Sequence, residues 1–161
     1  MARAVQWSVP PAVLAAKVNK RVEDWVRLTV ISMFTRVVMR SPVDTGRFRA
    51  NWLLGYGAPE VTTHDGVDPD GGGRSQLIAR AVMSWPVGGI VYLTNSLPYA
   101  RVLEYGEYPN PPKFGSKKRG EDGVAIHVQG GYSMQAPNGM VRVTVAEFDQ
   151  ASQEAAREAA A

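Results

Sequence analysis

Residues 12–40 read AVLAAKVNKRVEDWVRLTVISMFTRVVMR, a stretch of 29 positions with neither glycine nor proline. Leu14, Val18, Val22, Trp25, Val26, Met33 and Val37 recur at helical spacing. Lys17, Lys20, Arg21, Asp24 and Arg27 take the opposite side, and the pairs Lys20–Asp24 and Glu23–Arg27 stand four residues apart, where opposite charges meet on a helix surface. The stretch predicts a single helix of roughly 43 Å at the usual rise per residue. Pro10-Pro11 forms its entry, because a proline in the first turn gives up no helical hydrogen bond. After Arg27 the run LTVISMFTRVVM is apolar on nearly every side, more than one core-facing stripe requires. Either this half passes through the centre of the domain, or a neighbouring subunit covers part of it. A helix this long also outreaches a small domain, which favours a partner at its ends.

Working outward, Ser41, Pro42 and Asp44 fit the first positions of a capped turn, with Gly46 supplying an unusual φ. NWLLGY (51–56) reads as a strand, 57–74 as a polar, glycine-rich loop, and SQLIARAVMSW (75–85) as a helix. GIVYLT (89–94) is rich in β-branched and aromatic residues and is the strongest strand signal. Residues 97–105 read as a short helix with Tyr99, Val102 and Leu103 inward, bracketed by Pro98 and Gly106. Residues 107–131 form a long Gly/Pro/Lys segment in which only 124–128 (VAIHV) alternates as a strand does. From 138 to 159 a last helix is expected, with Asn138 as N-cap and Met140, Thr144, Phe148, Ala151 and Ala155 on one face. The VRVTV alternation at 141–145 points instead to a strand, but no turn separates it from the helical AEFDQASQEAAREAAA. The class is α+β: a long N-terminal helix, a small antiparallel sheet, a short helix and a C-terminal helix.

At 161 residues the chain fits one domain, with ordinary globular shares of hydrophobic (45%) and charged (20%) residues. It has no cysteine, which excludes disulfides and thiolate metal sites. No apolar run reaches the roughly 20 residues of a membrane span, and none at the start resembles a signal peptide. A net charge of +3 is a mild basic bias with acids interspersed, so dedicated nucleic-acid binding is not expected. The exception is Lys113, Lys117, Lys118 and Arg119 with Tyr108 and Phe114 nearby, a basic arm that could meet an acidic surface or DNA.

Asp44-Thr45-Gly46 matches the aspartic protease tripeptide, which in one copy would need a homodimer to pair two carboxylates. A long helix precedes it and Arg47 follows, so a glycine-containing turn is the expected reading. Asp65, Asp68 and Asp70 suggest a calcium loop, but Gly66 and Leu77 occupy ligand positions. His64 and His127, the two histidines, lie in separate segments and do not make a zinc site. No cofactor and no enzyme activity are expected.

Three segments, in order along the chain, resemble a known family. Pro42 to Arg49 (PVDTGRFR) is similar to a segment of phage tail-completion and head–tail joining proteins. Thr94 to Gly106 (TNSLPYARVLEYG) resembles a second, and Ser133 to Val145 (SMQAPNGMVRVTV) is similar to the segment opening the last helix in the minor tail protein Z branch. Here residues 107–132 separate the second and third segments, so 107–131 is read as an insertion, as is the long 57–74 loop. The resemblance implies one tail-completion-like domain in the virion, assembled in the host cytoplasm. It also implies a homo-oligomeric ring beside tail-terminator, tail-tube or head–tail connector proteins. A neck component touching DNA through the basic arm is the alternative. The motif residues implied to matter are Pro42, Asp44, Thr45, Gly46 and Arg47 in the first segment, and Asn95, Pro98, Tyr99, Glu104 and Gly106 in the second. Gln135, Pro137, Gly139 and Met140 belong to the third. Tyr99 and Met140 are expected to pack the short helix on the last one, with Glu104 and Gln135 as hydrogen-bonding residues.

Overall fold

A computed structural model describes residues 8–108 and 128–161. In chain order the elements are α1 (Pro11–Arg40), α2 (Arg47–Ala50), β1 (Leu53–Tyr56), α3 (Gly72–Ser84), β2 (Val91–Thr94) and α4 (Ala100–Tyr105). After these come β3 (Val128–Gln129), β4 (Tyr132–Ser133), α5 (Val141–Ala146) and α6 (Phe148–Ala160). The class is α+β, as expected. β1 pairs antiparallel with β2, Leu53 opposite Thr94 and Tyr56 opposite Val91, and β3–β4 is a second, two-residue hairpin. The basic arm and residues 124–127 of the expected strand lie outside the described residues.

The second half of α1 is apolar all round because it has neighbours on two sides. Trp25, Arg36 and Arg40 share one face and bond to α5 and α6. Arg27, half a turn away, donates to the Trp85 carbonyl at the end of α3 at 3.2 and 3.1 Å. Val37 and Val38 are buried in the core with Phe48, Trp52, Ile78, Val82, Trp85, Leu97, Leu103 and Met140. The centre-of-the-domain arrangement therefore holds for this half. The first half behaves differently. Residues 11–23 are exposed, including Leu14, Val18 and Val22 of the stripe expected to face the core. The periodicity was real, but α3, α5 and α6 pack on α1 mainly from Asp24 onward. The two expected charge pairs form there, at 2.6 Å for Lys20–Asp24 and 3.3 Å for Glu23–Arg27.

Three boundaries differ from expectation for identifiable reasons. α3 starts at Gly72 rather than Ser75, because Asp68 accepts from the backbone N–H of Gly71 and Arg74 and supplies the missing acceptors at its start. α2 starts at Arg47 behind Gly46, so Ser41, Pro42 and Asp44 do not cap it. Ser41 instead ends α1: its hydroxyl donates to Val37 O and accepts from the Trp52 indole at 2.7 Å. The last helix begins at Val141, not Asn138, and Glu147 breaks it into α5 and α6. VRVTV is nevertheless helical. Thr144, Ala151 and Ala155 face inward, whereas Phe148 is half exposed.

α6 lies against α1 through small residues, with Ala151 and Ala155 buried. Ala151→Leu should overpack this contact and lower the unfolding free energy in urea by about 2 kcal/mol. The same change at exposed Ala156 should stay within about 0.5 kcal/mol.

Candidate functional site

The three motif segments meet on one side of the molecule. Gln135 and Val43 exchange two hydrogen bonds, the Val43 N–H donating to Gln135 Oε1 at 2.8 Å and Gln135 Nε2 donating to Val43 O at 2.9 Å. A side-chain amide that reads both groups of one backbone residue fixes distance and orientation together. Asn95 ties the second segment to the first: its Nδ2 donates to Phe48 O at 2.9 Å, and its Oδ1 accepts from Leu97 N–H. The order of the segments along the chain thus becomes adjacency in space.

The tightest point of the junction is Glu104. Its residue is buried, and its carboxylate accepts from the backbone N–H of Met140 at 2.7 Å, Val141 at 2.9 Å and Arg142 at 3.0 Å. A helix start leaves its first N–H groups without helical acceptors. Here the acceptors come from α4 rather than from a local residue such as Asn138, which explains the late start of α5. Arg142 balances the charge with Nε 3.4 Å from Glu104 Oε1. It also donates to Glu104 O at 2.7 Å and to the Tyr132 hydroxyl at 2.9 Å. Its guanidinium lies 5.2 Å from the centre of the Tyr105 ring, a cation–π distance. Gly139, at φ +79°, makes the approach possible: a Cβ there would stand 2.6 Å from Glu104 O.

A second polar cluster joins α1 to the α5–α6 break at Glu147. Arg40 donates to both Glu147 oxygens at 2.7 Å and to the Thr144 hydroxyl at 3.0 Å. Arg36 bridges Glu147 at 2.7 Å and Glu154 at 2.6 Å. These bonds from Arg40 and then Arg36 hold the Glu147 carboxyl below its ordinary value of 4.5.

The remaining motif residues are structural parts of the turns. Pro42 is buried, Asp44 is exposed, and Thr45 accepts from Arg47 N–H at 3.3 Å. Gly46 adopts φ +90° with the Asp68-Pro69 backbone against it, and Arg47 pairs with Asp65 at 2.8 Å. Pro98 sits in the turn entering α4, and Gly106 closes that helix in the left-handed conformation. Pro137 bridges to Gly139, and Met140 is fully buried. Tyr99 departs from expectation. It stays at the surface with its ring 5.8 Å from that of Phe48, on α2 rather than the last helix, and Leu97 takes the buried place. Lys113, Lys117, Lys118, Arg119 and His127 lie outside the described residues.

Residues lying outside the motif segments are Arg36, Arg40, Glu147 and buried Asn51, while Arg142 lies within the third segment but was not singled out there. Asn51 holds the 57–71 loop by accepting from His64 N–H and donating to His64 O, both at 2.9 Å. The available signal was the pair Arg36 and Arg40, one turn apart in an otherwise apolar half-helix, which called for acidic partners from elsewhere.

Compared with family models, curated proteins and solved structures, the chain matches none.

Removing the Glu104 carboxylate orphans three N–H groups and takes away the counter-charge of Arg142. Glu104→Ala should cost about 3 kcal/mol and lower the melting temperature by roughly 10 °C, and Glu104→Gln should cost less. The lowered Glu147 pKa has a defined sign. Its stabilising contribution is complete above about pH 4.5 and disappears as pH falls through the depressed value. Below that pH the wild-type melting temperature should fall more steeply than that of Glu147→Gln.

Proposed function

We propose that this chain is a structural virion protein of a tailed bacteriophage, acting in tail completion and head–tail joining as repeated copies packed in a ring. Its neighbours are tail-terminator, tail-tube or head–tail connector proteins. The observation that carries the reading is the junction itself. Three segments resembling those of tail-completion proteins, separated by long stretches of chain, bond to one another through Gln135–Val43, Asn95–Phe48 and Glu104–Met140. Gln135, Asn95, Glu104 and Met140, four of the residues that carry the resemblance, make these bonds, so the three segments form one contiguous junction. The part they play is architectural: they fix helix ends and turns, and Asp44 sits on an exposed turn.

Interrupting the gene in a phage genome should yield filled heads and complete tails that do not join, visible by electron microscopy. Infectivity should return when the wild-type protein is supplied in trans. Normal infectivity without the protein would overturn the reading.

A further inference from the structure

We propose that the projecting first half of α1 docks on the C-terminal helices of a second copy of this chain, an inference that rests on the ring-assembly reading and names its surfaces. Leu14, Val18, Val22 and Trp25 are spaced as one stripe along α1, and Val18 is 51% exposed. Branched apolar side chains on a helix end about 20 Å long are a poor surface to leave in water. Lys17 and Arg21 flank the stripe, and there is no acidic residue from Pro11 to Val22.

A second exposed stripe runs across the α5–α6 junction. Val141, Val145 and Phe148 are spaced i, i+4, i+7 and are 36%, 60% and 50% exposed, with exposed Asp149 beside them. In α6, Glu154 is already bonded to Arg36 of its own chain, which leaves the exposed Asp149 and Glu158 against Arg157, and Arg142 beside Val141 is met by Glu104. The two stripes therefore match in character and oppose in charge.

Charge also decides how two copies meet. Two arms packed on each other by a two-fold axis would bring Lys17, Lys20 and Arg21 of both copies together with only Asp24 and Glu23 nearby. Two α5–α6 stripes packed on each other would set Asp149 against Asp149. Arm on stripe instead sets Lys17 and Arg21 of one copy against Asp149 of another rather than against their own like charges. That contact uses different patches on the two copies, so it is heterologous: each copy gives its arm to one neighbour and receives the arm of another, which closes as a ring or continues as a filament.

The test uses the full chain, with folding checked by circular dichroism. By sedimentation velocity at about 100 µM, where a contact of ~10 µM Kd is mostly occupied, the wild type should form oligomers larger than a dimer. Val18→Asp and Phe148→Asp should each be folded and monomeric. Mixed, they should form a 1:1 dimer and stop, because one retains only its stripe and the other only its arm. Since the chain has no cysteine, Val18→Cys mixed with a size-tagged Phe148→Cys should also give a mixed disulfide on oxidation. A monomeric wild type, an Asp-variant mixture that stays monomeric, or a Val18→Asp variant that still oligomerises would overturn the proposal. Head–tail joining would then stand or fall separately, on particle assembly in the gene-interrupted phage.

Discussion

The Glu104 carboxylate at the start of α5 is the constraint on which the arrangement depends. A buried carboxylate is costly unless every oxygen has partners, and a buried helix start is costly unless its N–H groups do. Each solves the other's problem, with Arg142 completing the balance. The bond is also long-range, since it links α4 to the last helices across the 107–131 segment. It sets where α5 begins and hence which residues meet α1. Thr144 and Glu147 arrive opposite Arg40 and Arg36 only because the helix starts at Val141 rather than three residues earlier.

Much of the fold was legible from local signals. The absence of glycine and proline over residues 12–40 marked α1, and the β-branched run at 89–94 marked β2. What stayed hidden depended on acceptors supplied from elsewhere in the chain. Asp68 lengthened α3 into a glycine triplet that reads as loop, and Glu104 overrode Asn138 as the start of the last helix. Glu147 divides that helix where its side chain is held by Arg36 and Arg40 of α1, a pairing that no local pattern announces. The site shows the same division. Gln135 and Glu104 stood out as polar residues within motif segments, whereas Arg36 and Arg40 looked like ordinary interruptions of an apolar helix.

α1 carries two kinds of apolar surface in one uninterrupted helix. From Trp25 onward its side chains meet α3, α5 and α6, and the hydrophobic gain there belongs to folding. Before that point the same residue types face solvent, and their burial can be gained only by association. No helix among the described residues is long and apolar enough to cross a membrane.

The exposed start of α1 has a consequence for its internal dynamics. Helices shorter than about 12–15 residues are marginal in water without tertiary support, and this segment has little of that support. Its backbone amides therefore open by local fraying, while those beyond Val26 open only when the packed core does. A single continuous helix thus spans a gradient of protection against amide hydrogen exchange, from nearly none at its first turns to the global limit at Val38.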